Sequence, residues 1–382
     1  MSGALSLLIK PVSAYCNMQC SYCFYRRLSD PYRSEVIHIM DDQTLETMIS
    51  GYMKSEGRCV SFGWHGGEPM LAGINFFKKA VAYQQHYNKS GQQVSNNLQT
   101  NGTLINDEWA ALFRRHNFFI GLSLDGPEEY HNHYRHALNG MNSFHKAMQG
   151  IQTLRRHQVE ISILAVVNDV TVKRPEEIYQ FFLHNELHLL QFIPCVELDH
   201  NSRDIKDFSV SAKDYGDFLC TLFDVWYSNG QPVASIRLFD NILAIYMGME
   251  PEICSFEDQC GDYVVIEYNG DVYPCDFFVE EQWLLGNLFD APISEISSNR
   301  KMRTFNSRKI RKDGNCSNCE WSFICHFGCQ HYRTYNGENY LCEAYKQFFT
   351  YTRQRFVTYA MAIREMVSRA VSDSMRRSQH HN

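Results

Sequence analysis

Apolar and polar positions follow a repeating order through the first 235 residues: a short apolar run, then an amphipathic stretch. The apolar runs at 5–9, 60–65, 97–100, 119–124, 161–167 and 189–193 predict strands. Between and after them, 42–54, 74–87, 107–115, 143–156, 175–185 and 212–227 carry apolar residues at helical spacing. Six strand-then-helix units predict an α/β fold with a parallel sheet, because parallel strands need long crossovers. Six units fall short of a closed eight-unit barrel, so an open or partial (β/α)6 barrel is expected. Functional residues of such folds sit at the C-terminal strand ends. Two predicted helices finish in Arg114-Arg115-His116 and Arg155-Arg156-His157. Cations suit a helix C-terminus, and these read as solvated helix ends.

The pattern changes after the loop Ser228-Asn229-Gly230-Gln231-Pro232. Residues 263–267 and 272–274 flank Asn269-Gly270-Asp271, which reads as a hairpin. Cysteine-rich loops follow. Residues 346–369 are helical by composition, and the polar segment 376–382 is expected to fray. The expected division is a barrel over 1–235, a cysteine-rich unit over 236–345, and a C-terminal helix and tail over 346–382.

Composition narrows the function. The 382 residues are 44% hydrophobic, enough for a large core. Lys and Arg number 36 against 43 Asp and Glu, a net charge of −7. That balance argues against a nucleic-acid binder and against a polybasic membrane anchor. Without an apolar run of about 18 residues, no spanning helix is expected. The first residues lack a charged segment and a cleavage site, so a soluble, cytoplasmic protein is expected. Fourteen cysteines in a reducing compartment read as ligands rather than staples.

Cys16-x3-Cys20-x2-Cys23 follows the first strand. Three thiolates at this spacing wrap one face of a [4Fe–4S] cube and leave one iron open for a chelating molecule. A zinc knuckle would want a fourth ligand, yet no His or Cys follows before His38. Eight more cysteines run Cys254, Cys260, Cys275, Cys316, Cys319, Cys325, Cys329 and Cys342. They suffice for two four-ligand sites, either zinc or closed cubes, and spacing leaves both open. Cys59, Cys195 and Cys220 remain, and read as small buried hydrophobes.

The first cysteine motif, with Tyr22 before Cys23 and Gly66-Gly67-Glu68-Pro69 after the second strand, resembles the radical S-adenosylmethionine superfamily. The resemblance implies that Tyr22, Gly67, Ser123, Arg135 and Val196 contact S-adenosylmethionine. Ser123 lies in Gly121-Leu-Ser-Leu-Asp-Gly126, Arg135 in the adjoining loop, and Val196 after the sixth strand. The later cysteines resemble a SPASM domain with two auxiliary [4Fe–4S] clusters, three clusters in all. By that likeness Cys254, Cys260, Cys275 and Cys329 hold one, and Cys316, Cys319, Cys325 and Cys342 the other.

Over nearly its whole length the chain is most similar to the anaerobic sulfatase-maturating enzymes. Leu5-Ser-Leu-Leu-Ile-Lys-Pro11, Cys23-Phe-Tyr25, Leu98-Gln-Thr-Asn-Gly-Thr103, Leu190-Gln-Phe192 and Tyr273-Pro-Cys-Asp-Phe277 carry the likeness. It implies oxidation of a Cys or Ser in a C/S-x-P-x-R-type sulfatase segment to Cα-formylglycine. A 5′-deoxyadenosyl radical would take a Cβ hydrogen, Asp276 would accept the side-chain proton, and an auxiliary cluster would take the second electron. An electron donor such as flavodoxin or ferredoxin is implied as a partner. His65 departs from the family, which often has Gln before Gly-Gly-Glu-Pro. A second expectation is another SPASM peptide maturase that forms thioether or carbon–carbon links. Many thioether-forming relatives carry an N-terminal recognition domain, and strand one starts at Leu5 here. A third, a zinc or electron-carrier protein, leaves Gly66–Pro69 unexplained.

Overall fold

The chain is described from a computed structural model, over residues 5–379 apart from 27–31, 33–36, 56, 90, 198–204, 262, 310–315 and 335. Six strands lie side by side in chain order, all parallel. They are β1 (Ser6–Lys10), β2 (Cys59–Trp64), β3 (Gln93–Thr100), β4 (Phe118–Ser123), β5 (Ile161–Val167) and β6 (Leu189–Pro194). Helices α1 (Asp42–Ser55), α2 (Ile74–Tyr87), α3 (Asp107–Arg115), α4 (Glu128–Tyr134), α5 (Phe144–Arg156), α6 (Pro175–His184) and α7 (Ala212–Tyr227) follow in chain order. The short α4 lies outside the predicted helices. Side-chain caps fix several starts: Asn106 accepts from the Trp109 N–H at α3, and Ser211 from the Asp214 N–H at α7.

The sheet does not stop at six strands. β7 (Ser235–Ile236) adds parallel to β6, and α8 (Arg237–Tyr246) follows it. The expected hairpin forms from β8 (Tyr263–Glu267) and β9 (Asp271–Tyr273), and β10 (Gly286–Asn287) pairs with β9. The hairpin is no separate layer, because β8 lies parallel to β1 with Ser6 opposite Tyr263 and Lys10 opposite Glu267. The order is β10-β9-β8-β1-β2-β3-β4-β5-β6-β7, one sheet crossing residue 235. The reason is legible in β8: Val264, Val265 and Ile266 are all fully buried. A strand covered on both faces reads as a continuous apolar run, not an alternation.

Short helices α9 (Ile293–Ile296), α10 (Arg300–Ser307) and α11 (Ser322–Cys325) mark the cysteine-rich part, and α12 (Cys342–Gln379) closes the chain. The α12 backbone stays helical through most of the segment expected to fray, as no Gly or Pro interrupts it. Residues 380–382 lie outside the described residues. Aromatic pairs fasten α12 to the barrel: Phe356 to Phe223 of α7 at 4.8 Å, and Phe348 to Phe239 of α8 at 5.3 Å between centroids. Among the described residues no helix is long and apolar enough to cross a membrane. The C-terminal ends of β1 to β6 feed the segments that carry Cys16, Gly67, Asn101, Asp125, Asn168 and Val196.

Candidate active site

Beyond β1 the chain turns twice: Ser13 N–H donates to Lys10 O at 3.1 Å and Tyr15 N–H to Val12 O at 3.1 Å. The segment after β2 clamps this loop through Gly67 N–H to Ser13 O and Glu68 N–H to Tyr15 O, both 2.9 Å. Glycine is obligatory here, since a Cβ on Gly67 would lie 2.1 Å from Tyr15 O. Gly66 has φ +104°, a conformation that a side chain resists. The fully buried Glu68 accepts from Met70 N–H at 3.1 Å, Asn101 N–H at 2.8 Å and the Thr100 hydroxyl at 2.9 Å. It thereby ties the ends of β2 and β3. Burial pushes its carboxyl up to about 7, against the pull of these donors.

Cys16, Cys20 and Cys23 are brought together on the clamped loop. Burial raises all three thiols, and negative charge on the others adds to the rise for Cys16 and Cys23. Cys23 is pushed up to about 12. Asn101 Nδ2 stands 3.8 Å from Cys16 Sγ and 2.8 Å from Asn17 Oδ1, so the β3 end supports the motif. Asp125 anchors the other side. It takes a bidentate bond from Arg135 at 2.9 and 3.1 Å, the Val166 N–H at 2.9 Å and the Tyr22 hydroxyl. Arg135 also lies over the Tyr22 ring at 5.4 Å. Tyr22 and Arg135 are thus joined through Asp125, a residue the sequence reading passed over. Ser123 accepts from Gln99 Nε2 at 3.1 Å at the end of β4. Val196 is buried in the main core just past β6.

Asp276 follows Cys275 beyond β9. The Tyr25 hydroxyl donates to its Oδ2, and Lys10 Nζ lies 3.9 Å from its Oδ1. Lys10 also pairs with Glu267 at 2.6 Å, both fully buried, and lies 4.9 Å from the Tyr25 ring centroid. The other neighbour of the Tyr25 oxygen is His65 Nδ1 at 2.8 Å. A hydroxyl has one hydrogen, and here it points to Asp276. His65 must therefore carry its hydrogen on Nδ1 and donate it to Tyr25. Burial lowers the His65 pKa from its ordinary value and favours this neutral form. The sequence held two signals for this group: Tyr25 inside Cys23-Phe-Tyr25, and a Lys and a Glu placed inside apolar strands.

The later cysteines divide by their electrostatic neighbours. Cys275 feels Cys329 and Cys254, and Cys329 feels Cys254 and Cys260. Cys325 feels Cys342, Cys316 and Cys319. Two sets of four emerge, with Cys329 crossing in sequence to the first. Burial and mutual repulsion push Cys325 and Cys329 up to about 12, a donor set suited to a cationic iron core that holds thiolates. Among the described residues no three His, Cys, Asp or Glu side chains are arranged for a single metal ion. A cube gives each thiolate its own iron, and sets of four cysteines with no other ionisable ligand among them suit it. Cys195 is buried, packed with Met18, Cys20 and Tyr22. Cys220 is half-buried, and Cys59 is exposed, contrary to the core position expected of it. Cys59 is the first residue of β2, where the strand has not yet entered the core.

Residues 11–182 match the radical SAM superfamily model, and residues 254–320 match that of an iron–sulfur cluster-binding domain. A serine-type anaerobic sulfatase-maturating enzyme of Bacteroides thetaiotaomicron is 38% identical over 90% of this chain and 88% of its own. The chain belongs to the anaerobic sulfatase-maturating enzyme family. A cysteine-type member from Clostridium perfringens is 37% identical over 94% of this chain and 99% of its own. A solved structure of native anSMEcpe with bound AdoMet and Cp18Cys peptide superposes with a TM-score of 0.88. It is 36% identical and covers 94% of this chain and 99% of its own. Relatives named serine-type and cysteine-type thus stand at nearly equal identity to this chain.

Proposed function

We propose that this chain oxidises a Cys or Ser side chain of a sulfatase polypeptide to Cα-formylglycine, with S-adenosylmethionine and three [4Fe–4S] clusters. The observation that carries the reading is Asp276: a carboxylate fixed beside Cys275 and hydrogen-bonded by Tyr25, two residues from Cys23. Cys16, Cys20 and Cys23 would hold the cluster with the open iron. Cys254, Cys260, Cys275 and Cys329 would hold one auxiliary cluster, and Cys316, Cys319, Cys325 and Cys342 the other. When bound, these groups supply a 5′-deoxyadenosyl radical and a sink for one electron.

The chain's own residues do the remainder. Gly66 and Gly67 let the β2 segment press on the cysteine loop. Tyr22, Ser123, Arg135 and Val196 line the strand ends where S-adenosylmethionine would lie. Asp276 accepts the proton of the substrate thiol or hydroxyl, oriented by Tyr25 and His65. Lys10, paired to Glu267, supplies fixed positive charge beside that carboxylate. We assign the barrel to 1–235, the auxiliary unit to 236–345 and the closing helix and tail to 346–382, the first two being divisions of function that share one sheet. A flavodoxin or ferredoxin as reductant and a cytoplasmic setting complete the reading.

The test is anaerobic incubation of the reconstituted protein with matched Cys and Ser sulfatase peptides, read by mass spectrometry. Loss of about 18 Da from Cys or about 2 Da from Ser reports the aldehyde. A loss of about 2 Da that fragmentation places on a bond between two residues, with no aldehyde captured by hydrazine, would favour a crosslinking maturase instead, since forming such a link also removes two hydrogens.

A further inference from the structure

Lys309 is a fully buried lysine just after α10 that the proposed chemistry has not used. Its Nζ donates to Cys254 O at 2.6 Å and to Glu257 O. Arg333 pins its carbonyl through Nη2 at 2.6 Å. Burial lowers its pKa from the ordinary value, and negative charge on Cys260, Cys254 and Cys329 of one four-cysteine set and on Cys325 of the other opposes this and favours the ammonium form. A second buried side chain, Gln330, donates Nε2 to Cys260 Sγ at 3.3 Å and to Phe305 O at 3.0 Å. The Tyr263 hydroxyl stands 3.3 Å from Cys275 Sγ.

Burying an ammonium costs several kcal/mol unless an anion compensates it. Two carbonyl oxygens accept from its ammonium but leave the charge. A thiolate-bound cluster is the compensating anion that this position faces, and cation and cluster then stabilise each other. Reduction adds negative charge to a cluster. A fixed cation and an N–H aimed at a ligand sulfur therefore favour the reduced form over the oxidised one.

We infer that Lys309 and Gln330 raise the reduction potential of the cluster bound by Cys254, Cys260, Cys275 and Cys329, fitting it to receive the electron of the oxidation. The inference rests on the proposed cysteine assignment. In the step served, the substrate radical loses one proton and one electron. The S–H or O–H bond breaks, and its hydrogen leaves as a proton to Asp276. One electron passes to the oxidised cluster, reducing it by one unit, and the C=S or C=O bond completes. Asp276 adjoins Cys275, so proton and electron leave through neighbouring residues. Lys309 and Gln330 touch no substrate and are positioning residues that act through the cluster.

The experiment uses the full chain with Cys16, Cys20 and Cys23 replaced by Ala, reconstituted anaerobically, so that only the auxiliary sites titrate. About eight irons per chain support the two-cluster reading, and far fewer sink it before any potential is read. Redox titration followed by electron paramagnetic resonance then compares Lys309→Met, Lys309→Arg and Gln330→Met with this parent. The expected result is a shift of one signal to more negative potential in Lys309→Met. The same signal shifts in Gln330→Met, and Lys309→Arg stays near the parent. Unchanged midpoints in both Met variants, or movement of different signals, overturn the inference. Should Lys309→Met lose iron, Gln330→Met decides, since it keeps the lysine, and an unmoved midpoint there overturns it.

Discussion

Tyr25 gives its hydroxyl hydrogen to Asp276 across 251 positions of chain. One bond thus joins the loop of the first cysteine motif to that of Cys275. Tyr25→Phe keeps the ring and removes the donor. Formylglycine yield should fall about tenfold or more while S-adenosylmethionine cleavage continues, measured by peptide mass and 5′-deoxyadenosine. Asp276→Asn should cost about 10²- to 10⁴-fold in the same yield. An unchanged yield in Asp276→Asn removes its role as base.

The donor to Tyr25 is the Nδ1–H of His65, and a glutamine amide can replace it. His65→Gln should stay within a few-fold of the parent, whereas His65→Leu should approach Tyr25→Phe, as a lost hydrogen bond to a buried group costs about 1–3 kcal/mol. Equal rates for the Gln and Leu variants would remove His65 from the chain of donors.

Gly67→Ala drives a methyl into the Tyr15 carbonyl, with backbone on both sides of the clash. The loop carrying Cys16 has to shift. Iron at the first site should fall by about four per chain, with the auxiliary irons retained, when iron and sulfide are assayed. Full iron content would show that the loop yields without cost.

Asp125 compensates a buried guanidinium. Asp125→Asn leaves Arg135 charged and unpaired, at a cost of about 3–5 kcal/mol. Anaerobic urea unfolding should show a loss of that order, and S-adenosylmethionine affinity should fall with it. A change under about 1 kcal/mol would mean that Arg135 finds another anion.

Stability should carry a histidine signature. His131 is buried; its Nδ1 accepts from Asp125 N–H at 3.4 Å, so Nε2 donates to Ser143 Oγ at 2.9 Å. Burial, helped by the Arg135 charge, pushes its pKa down to about 3. The unfolded chain takes up this proton below about 6.5 and the folded one does not, so stability is complete above that pH and falls below it. The contribution of His131 should drop by about 1 kcal/mol from pH 6.5 to 5.5. His131→Gln should show a correspondingly flatter profile in unfolding measured at both values.

The strands β1 to β6 and most helices were legible because their periodicity is strong and their bounds are set by local residues. Asn106 and Ser211 cap their own helices, and Gly66-Gly67 announces a close approach. The parallel union of β8 with β1 was not legible, since 257 positions separate the partners, as from Ser6 to Tyr263, and no local signal encodes the pairing. The same holds for the site. The three cysteines of the first motif are neighbours in sequence, whereas the grouping of Cys329 with Cys254 depends on tertiary approach. Asp125 and Lys309 escaped notice for a different reason: a charged residue shows its purpose only when burial leaves it a single partner.

The pairing of β1 with β8 bears on synthesis at the ribosome. β1 is made long before β8, and one of its two edges stays open until Glu267 has been made. An open apolar edge is a template for wrong pairing. The strand that aims the first cysteine loop therefore waits on a distant stretch of the message. Slow translation between the two, or release of a shortened chain, would present that edge to other nascent polypeptides.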